Sequence, residues 1–239
     1  MARPTKAEAG KDTREELIEA ARRLFSTVGY DATPVEAILE EVGLSKGTFY
    51  YYFSSKEDIL DAVVSRMIDE MALVVEPIPS LSSLSPVEKL GRFIEALSNW
   101  KLANIAILRE AVEVIYRDEN AIIRHKVNRK AVKNLSPVLA EIIGQGLEEG
   151  IFDVEYPEDT AEMLMHFSNA VSEMQWKPFT RLGEDPSARE SILRGMKLYL
   201  GAIERILGVP GGSLFPIGRD LVEGYERALE VRRSGENAR

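Results

Sequence analysis

VGLSKGTFYYYFSSKE runs from Val42 to Glu57 of a 239-residue chain. Five aromatics stand in a row here, Phe49 to Phe53. Ser45 is a good N-cap, and Leu44 before it with Phe49 four residues inside the helix is the spacing of a hydrophobic staple. Phe49 and Phe53 lie one helical turn apart and point inward together, which leaves the tyrosines between them facing elsewhere. Gly43 ends the helix before. Two helices joined by a short glycine-containing turn, Val42 to Ser45, form a helix-turn-helix.

Outward from this stretch the patterns remain helical. Thr13-x-x-Glu16 reads as a capping box ahead of Leu17, Ala20, Ala21, Leu24, Phe25 and Val28, and Gly29 closes that helix. Thr33-Pro34-Val35-Glu36 reads as a second box with proline in the first helical position. A fourth helix starts at Ser54 or Ser55 and carries Ile59, Leu60, Val63, Met67 and Met71. Glu76 to Pro86 is rich in proline and serine and reads as a loop. Further helices are expected over Val87–Asn99, Leu102–Tyr116, Asn120–Glu149, Pro157–Trp176, Ala188–Leu207 and Arg219–Arg233, with a kink at Pro137. No stretch alternates like a strand, so the fold class is all-α.

Composition narrows the function. There is no cysteine, which removes disulfides, thiol chemistry and thiolate metal sites. No apolar run is long enough to span a membrane, and the first residues have no apolar segment of the kind a secretory signal needs. A cytoplasmic location fits these features. No GxSxG, P-loop, HExxH or Rossmann glycine pattern is present, so the reading is not an enzyme, and it calls for no cofactor and no metal. His166 has Glu162 one turn before it, half of a metal site at most; a surface histidine is the plainer reading. Net charge is −9, which argues against a protein that coats nucleic acid indiscriminately. Residues 1–56 are close to neutral, with eight basic and nine acidic side chains.

A basic footprint for a duplex must therefore be local. The second helix of a helix-turn-helix enters the major groove with its N-terminal end. Lys46, Thr48 and the hydroxyls of Tyr50, Tyr51 and Tyr52 supply donors for phosphates and base edges, and Gly47 lets the backbone come close. Lys56 at the start of the next helix opposes the macrodipole but, with free N–H groups, makes an anion site. The bland alternative is a set of surface aromatics over a small core. Arg3, Lys6 and Lys11 are either a minor-groove arm or a disordered tail.

The stretch from Thr13 to about Leu60 resembles the DNA-binding domain of the TetR family of transcriptional regulators. The likeness lies in Ala20-Ala21-x-x-Leu24-Phe25, Gly29-Tyr30-x-x-Thr33, and Gly43 through Phe53 with Lys56-Glu57 after it. It implies a three-helix helix-turn-helix domain plus connector helix over 1–75, followed by a larger helical ligand-binding and dimerisation domain over 76–239. It implies a homodimer, usually a repressor, that leaves a palindromic double-stranded DNA operator when a small-molecule effector binds. By position, Lys46, Gly47, Thr48 and Tyr51 would approach bases or nearby backbone, with Ser45 capping that helix, and Thr33, Tyr50, Tyr52 and Lys56 would hold phosphates. Glu36 departs from the family, which often has a basic residue there, and Leu39 stands where a small residue is preferred.

For the remaining chain, Trp100, Tyr116, Met163, Phe167, Met174 and Trp176 could line an effector pocket or be plain core. The stripes Ala161, Leu164, Met165, Ser168, Val171 and Ile192, Met196, Tyr199, Ile203 could pack against a second subunit or inside one. A helical scaffold that has lost DNA binding is the alternative function; Glu36 and the neutral first segment favour it.

Overall fold

The computed structural model describes residues 6–214, 223–225 and 227, with side chains from residue 12 onward. In order come α1 (Lys6–Thr27), α2 (Val35–Val42), α3 (Lys46–Tyr52), α4 (Lys56–Val75), α5 (Pro86–Ala103), α6 (Ile105–Ile115), a short 3-10 turn (Asp118–Asn120), α7 (Ala121–Glu148), α8 (Pro157–Thr180) and α9 (Pro186–Leu207). No strand occurs among the described residues. The Arg219–Arg233 helix of the sequence reading falls largely outside them.

Two compact units divide the chain. The first comprises Met1–Met67 with Ala106–Ile123, the second Ile68–Ile105 with Arg124–Arg239. The first unit buries Leu17, Phe25, Ile38, Phe49, Phe53, Ile59 and Leu60 almost completely. Phe49 and Phe53 meet with ring centroids 5.7 Å apart, and Phe25 packs on Tyr30 at 5.0 Å. Truncating a phenylalanine in such a core costs about 3–5 kcal/mol, so the inward pair of the aromatic run holds this unit together.

Chain ends of these helices follow local chemistry. Gly43 caps α2 at φ 68°, and its N–H and that of Leu44 reach back to Glu40 and Leu39. Ser45 caps α3, its Oγ accepting from the Thr48 N–H at 3.2 Å. Ser55 accepts from the Asp58 N–H at 3.2 Å, while Asp58 takes the N–H and hydroxyl of Ser54. Ser85 and Glu88 form a reciprocal capping box at the start of α5.

Neither box expected near the chain start forms. Thr13 sits inside α1, which already runs from Lys6. Pro34, not Thr33, is the N-cap of α2 and has no side chain to offer; Thr33 turns back to Gly29 instead.

In the second unit, one large core gathers Leu90, Phe93, Leu135, Ile142, Phe152, Leu164, Leu200 and Leu207 with their neighbours. Gly146 is required here, because a Cβ would lie 2.0 Å from the Phe152 ring. Lys89 is buried and pins the loop before α5, donating to the Pro79 carbonyl at 2.8 Å and to Gln145 Oε1 at 2.6 Å. Asp69 on α4 accepts from Lys130 Nζ at 2.7 Å and from Asn134 Nδ2 at 2.8 Å, both on α7. Pro137 lies inside α7 without interrupting it, and α8 continues through Pro178, four residues past the expected end at Trp176.

Two stripes offered for a second subunit are largely internal. Ala161, Leu164, Met165 and Ile203 belong to the large core, and Ile192 joins a smaller cluster with Ile105 and Leu182. What α8 leaves outside is its other face, where Met163, Phe167 and Met174 are exposed.

Candidate nucleic-acid interface

α3 is short, and its two sides differ sharply. Phe49 is fully buried, whereas Tyr50 is 58 % and Tyr51 80 % exposed. Tyr50 stands edge-on to Phe49 at 5.3 Å, and Tyr51 and Tyr52 meet edge-on at 4.8 Å. The tyrosines thus brace one another while their hydroxyls remain outside the core. At the N-terminal end, Ser45 Oγ and Thr48 Oγ1 share a hydrogen bond at 3.0 Å. Gly47 has no need of glycine within the chain: a Cβ there would meet only Ser45 Oγ, at an ordinary 3.7 Å.

Lys46 reaches across to α2, where its Nζ pairs with Glu36 Oε1 at 2.5 Å. That hydrogen bond lowers the Glu36 pKa and raises that of Lys46. Glu36 is therefore a partner for the first cation of α3, not the end of a capping box.

Thr33 and Lys56 are placed differently from expectation. Thr33 is 1 % exposed; its hydroxyl donates to the Gly29 carbonyl at 2.7 Å and its N–H to the Tyr30 carbonyl. Its donors are spent inside the fold, so it has none for a phosphate. Lys56 lies over the Tyr30 ring, 4.3 Å from the centroid, with the Asp31 carbonyl at 3.4 Å. Burial pushes its pKa down, although the nearby acids Asp31 and Glu57 oppose this.

Glu110 and Arg117, which the sequence reading did not single out, hold the α1–α2 turn. The Tyr30 N–H donates to Glu110 Oε2 on α6 at 3.0 Å, and its hydroxyl donates to Glu57 at 3.2 Å. Arg117, just after α6, forms a two-pronged pair with Asp31 at 3.1 and 2.5 Å. The Glu110 and Arg117 contacts span 80 and 86 residues, which hides them from any local pattern.

Of the candidate pocket residues, three lie on one exposed face of α8. Met163 is 58 % and Met174 72 % exposed on the outer face of α8, with Phe167 between them against Tyr199 at 5.5 Å. Tyr116 lies in the first unit, Trp100 and Trp176 in the second. His166 pairs loosely with Glu162 at 3.6 Å, both exposed.

A serine-capped second helix that buries two phenylalanines and presents lysine, glycine and tyrosines is the reading head of a helix-turn-helix DNA-binding protein, with a larger helical unit in the same chain. Residues 17–63 match the bacterial regulatory proteins of the tetR family, and residues 103–183 match a tetracyclin repressor-like C-terminal domain. The chain belongs to the TetR family of transcriptional regulators.

It is 27 % identical over 200 residues to the transcriptional repressor KstR2 of Mycobacterium tuberculosis, covering 80 % of this chain and 93 % of that one. It is 28 % identical over 150 residues to the regulator YvaF of Bacillus subtilis, covering 56 % and 78 %. The fold is shared with the crystal structure of RolR in complex with resorcinol: TM-score 0.63, 20 % identity, 89 % of this chain and 96 % of that one. A TetR-family regulator from Pectobacterium atrosepticum gives the same score at 20 % identity, covering 87 % and 100 %. Regulators of this family, which are not enzymes, bind DNA, usually as dimers and with small-molecule ligands. No helix among the described residues is long and apolar enough to cross a membrane.

Proposed function

We propose that this protein is a cytoplasmic, homodimeric, sequence-specific repressor that leaves a palindromic operator when a small molecule binds its C-terminal domain. The observation that carries this is α3, where packing does not require the glycine and Tyr50 and Tyr51 stand largely exposed. Lys46, Gly47, Thr48 and Tyr51 approach base edges or adjacent backbone; Tyr50, Tyr52 and the remaining donors of Lys56 face phosphates, and Ser45 sets the entry of the helix. Residues 1–75 are the reading head with its connector α4, and residues 76–239 bind effector and partner.

Dimerisation falls to the outer face of α8, Met163, Phe167 and Met174, together with Leu198 of α9, which is 63 % exposed. This reassigns three residues of the sequence-stated pocket to a C2 contact. Effector binding favours a state whose two recognition helices are wrongly spaced for half-sites about one turn, ~34 Å, apart.

Selection of fragments from a random duplex pool, with the dimer as bait, tests this. A palindrome with half-sites near one turn is the expected result. Recovery of no motif at low salt, from folded dimer, would instead support the scaffold reading, which the Lys46–Glu36 pair favours by neutralising the foremost cation.

A further inference from the structure

An ion pair joins the two helices of the helix-turn-helix. Lys46 is the first residue of α3, and Glu36 lies in the first turn of α2. Lys46 Nζ and Glu36 Oε1 are 2.5 Å apart, and the two side chains are 65 % and 59 % exposed. Each is paired on one side and open on another. The contact holds the Glu36 carboxylate at the N-terminal end of α3, the end that enters a major groove. An ammonium and a carboxylate in contact offer a donor and an acceptor side by side, which neither residue offers alone.

A carboxylate facing a duplex has few uses. Phosphates repel it, and it can only accept hydrogen bonds. The base donors in a major groove are the N4 amino group of cytosine and the N6 amino group of adenine. Lysine is the reverse, a donor that takes the N7 and O6 acceptors of guanine. Across a G·C pair these groups come in order: N7, O6, then the amino group of the paired cytosine. A donor beside an acceptor is the complement of the last two. In an A·T pair the adenine amino group lies between N7 and thymine O4, so a carboxylate that reaches it also meets an acceptor that repels it.

We infer that Lys46 and Glu36 together read one G·C base pair in each half-site, Lys46 donating to the guanine and Glu36 accepting from the N4 amino group of its cytosine. Glu36 is then a specificity-determining residue that α2 supplies to the recognition helix. The same carboxylate fixes where the lysine ammonium stands and fills the position beside it. The inference rests on the sequence-specific DNA-binding reading above and names one base pair of the sequence that is read.

Selection from a random duplex pool, run with the intact protein and with Glu36→Ala, tests it. The intact protein should yield a motif with a preferred G·C pair in each half-site whose identity depends on Glu36. Alanine removes the acid and the acceptor together. Preference for that pair over the other three should fall about tenfold or more, as for a lost base contact, while the rest of the motif is read as before. An ion pair with a merely structural role would change affinity without changing preference at one position. A second measurement needs no variant. In the selected duplex, that cytosine is replaced by an analogue lacking the 4-amino group, and the intact protein should bind about tenfold more weakly than when the same analogue sits outside the motif.

Unchanged preference at every position in Glu36→Ala, full affinity for the duplex with the analogue in the motif, or an A·T pair at the position that responds to Glu36, overturns the base-pair inference and leaves the DNA-binding reading standing. Recovery of no motif by the intact protein overturns both.

Discussion

The Lys46 ammonium on α3 and the Glu36 carboxylate on α2 lie 2.5 Å apart, so the foremost cation of the reading head is already paired inside the chain. A phosphate must compete with that carboxylate. Glu36→Gln should raise affinity for any duplex and steepen its dependence on salt by about one unit of log K per log salt, the signature of one further phosphate neutralised. Filter binding or fluorescence anisotropy across a salt series measures this, and an unchanged slope would show that Lys46 does not meet phosphate.

Gly47→Ala separates fold from recognition. Alanine gains up to about 1 kcal/mol over glycine within a helix, and the space for a Cβ is open. Thermal stability should hold or rise while operator affinity falls. An alanine variant that binds as well as the parent would remove the reason for glycine there.

Thr33→Val should cost about 1 kcal/mol of stability through the lost bond to the Gly29 carbonyl. Operator affinity, measured well below the melting temperature, should be unaffected, since neither donor of Thr33 is free. Loss of affinity with unchanged stability would return Thr33 to the phosphate contacts.

Asp31 and Arg117 give the first unit an acid-sensitive tie. The guanidinium's hydrogen bond holds the Asp31 carboxyl below the usual aspartate range. Its folded pKa is depressed, so the stabilisation is present above the unfolded pKa, about 3.9, and is lost as pH falls through the lower folded value. The pair is largely solvent-facing, so its worth is about 0.5 kcal/mol. Arg117→Ala should be less stable than the parent at pH 7 by roughly that amount, and the two urea curves should converge near pH 2. A gap that persists in acid would assign the effect of Arg117 to packing instead.

Met174→Glu should convert dimer to monomer in sedimentation without loss of helix, because Met174 contacts little within its own chain. Its operator affinity should drop steeply, as two linked half-sites become one. A variant that stays dimeric would move the subunit contact off this face of α8.

Local signals were legible and distant ones were not. Gly43, Ser45 and the Phe49–Phe53 spacing act within one or two turns, so the helix-turn-helix could be read directly. Thr33 and Glu36 carry the right residues for a capping box, yet Gly29 and Lys46 offer them better partners from outside that pattern. On α8, apolar residues occupy more than one face, and periodicity cannot say that Leu164 is inside while Met163 is outside.

Tyr30 gathers three ties: its N–H to Glu110, its hydroxyl to Glu57, its ring under Lys56. Burial first, and then the Glu57 charge, lift its phenol pKa well above 10, and burial does the same for Tyr225. In an alkaline titration followed by ultraviolet absorbance, these two rings should stay silent while exposed phenols such as Tyr50 and Tyr51 ionise. Their phenolate bands should emerge only as the helices melt, giving each unit a native reporter with no label attached.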